Sequence, residues 1–533
     1  MFSISSYFSV EYLLMLLPAC VFFYLILPKT GRRFCLLFFS YAFFWAVSGK
    51  LIVYLLASTL LVYAFGLWLG GILDAQKNAL AACEKNEKKS IRAHFHARML
   101  RVLTLGVLLQ IGILLTVKYT PFFSDNLLAL LQHLHVRVTW NRPVFAVPIG
   151  ISFYTLQAAS YIFDVYHQKI EADRNLFRIA LFMSFFPQIM EGPICRYSDT
   201  AQTLWEAPRI CWDHFIPGVE RILFGLMKKT VAADRLNLLI ENVFSGYDAY
   251  DGFVIAIAAV CYTIQLYMDF SGTMDLVIGT GQIFGIVLPE NFKRPFFSRT
   301  ISEFWTRWHI TLGTWFRDYL FYPVSMSKPM KKLTSRARKR FGNHYGPLFS
   351  GAIALFCVWI CNGLWHGAGW HYIVFGLYHF VLILAGSLIL PLSIGLAKRL
   401  HISRDHIIYR ILQIIRTFLL VVIGELIFRA RSLGEAAGML KRIVSGFTFA
   451  SLRDRTLFTF GMDANDYLII LVFLGIIFVI SLLQERGVRI REGLAKKGFA
   501  VHAAAVCAMI LFIVIFGAYG QGYLPVNPIY ADF

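Results

Sequence analysis

Six long apolar stretches constrain this sequence more than anything else in it: Leu51–Leu73, Val102–Tyr119, Trp370–Leu390, Ile407–Phe428, Tyr467–Leu483 and Phe499–Tyr519. A bilayer's hydrocarbon core is about 30 Å thick and takes about 20 helical residues to cross. Inside it no water is available to satisfy the backbone, so a crossing segment must be a helix or part of a closed barrel. Composition makes the same demand. Hydrophobic residues are 58% of the 533 and charged residues 15%, against roughly 25% charged in soluble domains. The sequence therefore predicts an all-α polytopic membrane protein.

Less uniform spans are expected near Tyr12–Leu27, Phe34–Val47, Val144–Phe163, Phe177–Ile189, Val219–Val231, Val254–Phe270 and Leu348–Leu364, for about 11–14 transmembrane segments in all. Near Val147–Tyr154 and Glu290–Tyr322 proline, glycine and charge break the apolar pattern. Irregular backbone at membrane depth survives only inside protein or beside a water-filled cavity, so short, partly re-entrant helices are expected there.

The formal charge is +20, but its distribution argues against nucleic acid. Lys77, Lys85, Lys88, Lys89, Arg92, Arg98 and Arg101 form one basic group, Lys328–Arg340 a second and Arg486–Lys497 a third. Such groups between spans mark the cytoplasmic side and touch anionic lipid. With the Lys29–Arg33 loop also inside, both termini are expected to be extracytoplasmic. Tyr12–Leu27 lacks the basic flank and small-residue site of a cleavable signal. Nine cysteines show no paired framework, and Cys357 with Cys361 lacks the partners a metal site needs; no metal is expected.

The chain reads as a single membrane domain, residues 1–533, without internal repeats. Residues 429–466 form the longest candidate outer segment, expected to hold an amphipathic helix on the surface. Residues 520–533 form an outer tail. Residues 265–380 carry most of the ionisable groups at membrane depth, each costly enough there to be a functional hypothesis.

Two runs stand out. One extends from Pro289-Glu290-Asn291-Phe292-Lys293-Arg294 through Phe304-Trp305-Thr306-Arg307-Trp308-His309 to Arg317-Asp318-Tyr319. The other is Asn362-Gly363-Leu364-Trp365-His366-Gly367. A histidine in apolar surroundings stays neutral, because burial disfavours charge, and a neutral imidazole suits a general base acting on a hydroxyl. The plain alternative for a lone buried histidine is a satisfied core residue; the Trp-His-Gly setting and a second histidine in the same zone favour chemistry. No nucleophile elbow, zinc motif, phosphate loop or dinucleotide fingerprint is present.

The run from Pro289 to Tyr322 resembles the signature of the membrane-bound O-acyltransferase superfamily, and Gly363-Leu364-Trp365-His366-Gly367-Ala368 resembles its second signature. Pro148-Ile149-Gly150, Phe186-Pro187-Gln188, Gly192-Pro193-Ile194 and Asp269-Phe270-Ser271-Gly272 are similar to its bacterial branch of alginate and peptidoglycan O-acetylation proteins, related to the teichoic-acid D-alanylation protein. The resemblance covers nearly the whole chain. It implies a helical ridge around a thinned membrane centre, with re-entrant helices, a cytoplasmic donor entrance and an outer acceptor funnel.

Carried over residue by residue, the resemblance puts the catalytic histidine at His366 and the helper histidine at His309. Trp305, Trp308, Arg317, Asp318, Asn362 and Trp365 become tunnel-lining or positioning candidates; Arg317 and Asp318 would otherwise simply pair with neighbours one turn away. The ending Pro528-Ile529-Tyr530-Ala531-Asp532-Phe533 resembles a Phe-x-Tyr-x-x-Phe tail, with Pro528 departing from it, and makes Tyr530 a candidate acyl relay. The implied donor is acetyl-CoA, with a carrier-protein thioester as the alternative. The implied partners are membrane lipid, an extracytoplasmic acyltransferase and a cell-surface polymer. The rivals are D-alanyl transfer to teichoic acid and a histidine-lined transporter.

Overall fold

The apolar runs fold as helices because a helix satisfies its N–H and C=O groups within one segment. The computed structural model describes residues 4–136, 138 and 142–519, and among these there are helices and loops but no strand. Eight segments are long and apolar enough to cross a bilayer: Lys29–Ala82, Lys88–His133, Gly252–Ile283, Lys328–His366, Trp370–Arg399, Ile407–Arg429, Ala464–Glu485 and Phe499–Phe516. The first contains two helices, of 20 and 31 residues, joined by the turn Gly49–Leu51. At 1.5 Å rise per residue, each of the two reaches about 30 Å or more. Glu11–Ile26 is a shorter apolar helix.

Burial on these helices is lopsided. Phe499–Phe516 has no buried residue, and Trp370–Arg399 buries only Phe375, Gly376, His379 and Ala397. Leu392 and Ile515 are 70% and 65% exposed. Apolar surface on this scale is untenable in water and natural against lipid.

The basic groups expected as loops are partly helical. The Ile52–Ala82 helix runs through Lys77, the next begins at Lys88, and residues 328–341 form helix up to a break at Gly342, where φ is 77° and ψ −178°. Helix-favouring Ala, Lys, Arg and Glu carry these helices past their apolar portions.

The chain divides into two units. The first holds residues up to Val219 together with Val277–Pro289. At its centre lies Ile151–Tyr166, buried except at Phe163 and Tyr166. Gly150 starts this helix at φ 72°, and a Cβ there would lie 1.9 Å from the Ile189 carbonyl oxygen. The expected span near 177–189 is a nine-residue helix, Leu176–Ser184, ended by the residues before Pro187. Its apolar character serves protein packing: residues 179–194 are buried, and the Tyr7 hydroxyl donates to Phe186 O at 3.2 Å and accepts from Met190 N at 3.0 Å.

The second unit holds Glu220–Leu276 and Glu290 onward. Its core brings Val254–Leu266 and Leu236–Phe244 against Ile301–Trp308, Phe375 and Val421–Phe428. Residues 290–325 break into short helices, as the charge and proline in that run predict. The helix Leu433–Ser445, in the 429–466 stretch, buries Ala436 and Met439, with Leu440 and Ile443 packed beside them, against this same core.

Candidate active site

His309 sits where two seven-residue helices, Ile301–Arg307 and Ile310–Phe316, meet. Thr300 caps the first by accepting from Glu303 N at 3.1 Å. His309 then turns the chain at φ 45° and ψ 51°, a conformation costly for a residue with a Cβ. Two backbone bonds hold it: Ile310 N donates to Asn291 O at 3.0 Å, and Lys293 N to Arg307 O at 2.9 Å. The imidazole is 1% exposed and meets the Phe270 ring edge-on at 4.9 Å.

His366 is the last helical residue of Lys328–His366 and is 4% exposed. Its ring stands perpendicular to Phe428 at 5.1 Å and to Phe375 at 5.9 Å. Close helix packing brings it there. A Cβ on Gly363 would lie 2.4 Å from Tyr372 O, and one on Gly376 2.3 Å from Trp359 O, so two glycines let 343–366 and Trp370–Arg399 touch at backbone distance.

Trp365 joins the two histidines. Its ring is 5.6 Å from His309 and 5.0 Å from His366. Asn362, one turn before His366, is buried, and its Oδ1 has no hydrogen-bond partner among the described residues. The other sequence candidates make different contacts. Trp308 is packed within Tyr267, Phe292, Phe296 and Phe304, stacked on the last at 5.4 Å. Trp305 donates its indole N–H to Nδ1 of the buried His379 at 3.2 Å. Arg317 and Asp318 pair with each other at 2.9 Å, and Arg317 is half exposed. Tyr530 lies outside the described residues.

Buried charges brace the unit. The π-helical turn Lys228–Ala233 buries both Lys228 and Lys229. Lys229 bridges Asp234 at 3.0 Å and Asp269 at 2.8 Å, one residue before the Phe270 that faces His309. Lys228 pairs with Asp275 at 2.6 Å, and Arg221 spans Asp275 and Glu290. Arg294 and Arg307 converge on Glu485 at 2.6 and 3.0 Å.

Sequence reasoning missed the roles of Asn291, Lys228 and Lys229, and it missed Glu425. That residue is 2% exposed and makes no hydrogen bond or ion pair among the described residues. As the one acid in the apolar run Ile407–Phe428, it carried a readable signal.

Two buried imidazoles edged by aromatic rings thus lie on a helical membrane scaffold. The sequence profile of the membrane-bound O-acyltransferase family matches residues 93–338, which include His309 and end before His366. The probable alginate O-acetylase AlgI of Azotobacter vinelandii is 32% identical over 436 residues, 81% of this chain and 77% of that protein. The chain belongs to the membrane-bound O-acyltransferase family. This O-acyltransferase is also similar to the peptidoglycan O-acetyltransferase of Helicobacter pylori, 28% identical over 64% of each chain. The teichoic acid D-alanyltransferase of Bacillus subtilis is 30% identical over 44% of this chain and 58% of its own length.

Proposed function

We propose that this acyltransferase takes an acetyl group from acetyl-CoA at the cytoplasmic face and passes it through the membrane for O-acylation of a cell-surface polysaccharide or peptidoglycan. The observation that carries this reading is the burial of His366 and His309, the two histidines that the resemblance offers as candidates, around one indole. His366 takes the proton of the attacking hydroxyl as its oxygen bonds to the thioester carbon. The C–S bond breaks, and the proton leaves with the CoA thiol. His309 serves as the second acid–base or positioning group. Tyr530 is the first acceptor in this scheme, its phenol needing such a base because its ordinary pKa is about 10. A separate extracytoplasmic transferase then receives the group. The longer alginate-type match favours acetyl over D-alanyl, for which a carrier-protein thioester would be the donor.

The test is release of CoA from labelled acetyl-CoA by purified protein in lipid, wild type against His366→Ala. Release by wild type alone supports the scheme, and equal rates remove His366 from it. Tyr530→Phe should abolish polymer acylation at unchanged expression; unchanged acylation ends the relay.

A further inference from the structure

The histidine pair leaves open which nitrogen of His309 faces the chemistry, and one amide answers this. The Asn291 side chain is fully buried, and its Oδ1 and Nδ2 would be interchangeable by shape alone. Thr311 N lies 3.0 Å from Oδ1, and a backbone N–H only donates, so the atom facing it must be the oxygen. Thr311 Oγ1 donates to the same oxygen at 3.0 Å, while Nδ2 faces the Met274 sulfur at 3.3 Å. His309 Nδ1 is 3.3 Å from this same Oδ1. Between two acceptors there would be no bond, so Nδ1 carries the hydrogen. A neutral imidazole holds one hydrogen, which leaves the lone pair on Nε2.

We propose that Asn291 is a positioning residue that locks His309 in the Nδ1–H tautomer, so that Nε2 is the nitrogen able to accept a proton from the reacting hydroxyl. This rests on the acyl-transfer role of His309 given above, but the tautomer itself does not. The backbone bonds from Ile310 N to Asn291 O and from Lys293 N to Arg307 O hold the 291–293 strand of chain beside 307–310 independently of the amide. Asn291 side-chain variants therefore keep the frame that positions His309.

The experiment is nitrogen NMR of full-length protein in lipid, labelled at histidine. His309 is picked out from the 14 histidines by the signals lost in His309→Gln. Wild type should show a protonated Nδ1 and a bare Nε2. Asn291→Asp keeps the acceptor and should keep this pattern with at least part of the acyl transfer. Asn291→Leu fills similar space without an acceptor; it should mix the tautomers and lower transfer at least about tenfold, a wrong tautomer in a serine-protease triad costing about 10⁴-fold. A wild-type His309 protonated at Nε2 would overturn the proposal. So would Asn291→Leu losing activity with Nδ1 still protonated. Intact transfer in His309→Ala would instead remove His309 from the reaction and leave the tautomer to be judged by the spectrum.

Discussion

The Trp365 ring meets both His309 and His366, 5.6 Å from the first imidazole and 5.0 Å from the second. They come from distant signatures, yet both are nearly inaccessible and edged by aromatic rings.

Because the two share one pocket, they should fail as a unit. A positioned acid–base group contributes about 10²–10⁴-fold. His366→Ala is expected to lose that much acyl transfer and His309→Ala somewhat less. The double variant should be no worse than His366→Ala alone, since residues acting together are not additive. Single-turnover rates with labelled donor check this, and multiplicative losses would show independent roles.

The glycines behind His366 predict a contrast within one helix. Gly363→Ala drives a methyl group into the Tyr372 carbonyl and should cost about 1–3 kcal/mol, along with activity, by displacing the helix end. A Cβ on Gly351 would meet nothing within 4 Å, so Gly351→Ala should be neutral or stabilising by up to about 1 kcal/mol. Thermal unfolding in detergent separates them.

Buried charge predicts a second contrast. Lys229→Met removes the cation that bridges Asp234 and Asp269, both nearly inaccessible, and removing one partner of a buried pair costs about 3–5 kcal/mol. Lys228→Met leaves Asp275 with Arg221 at 3.0 Å and should cost less. Equal destabilisation would mean that Arg221 does not compensate.

Glu425 lies three residues before Phe428, whose ring faces His366. A buried carboxylate without a hydrogen bond destabilises a fold, so Glu425→Leu should raise the unfolding midpoint. We expect acyl transfer to fall in the same variant, as at sites where stability is given up for activity. A higher midpoint with full activity would leave the carboxylate no part in the reaction.

The membrane class was legible in the sequence because backbone desolvation ties span length to bilayer thickness, whatever the packing. His309 and His366 were legible as candidates because polar residues at membrane depth are few. Other features depended on contacts that no local pattern encodes. Residues 177–189 read as a span although 179–189 are buried against protein, since periodicity does not distinguish lipid from protein as the apolar surrounding. Trp305 and Trp308 read as tunnel-lining or positioning candidates; that one bonds His379 and the other packs among aromatic rings was not encoded locally. Lys228 and Lys229 could be placed only once a π turn buried both. The sequence alone determined that this chain spans a membrane and which histidines to consider. Only the tertiary structure set His309 against Trp365 and Asn291 against His309, because residue 309 and the 365–366 pair are far apart in the chain and the 291–309 contact closes only when the intervening segment folds back.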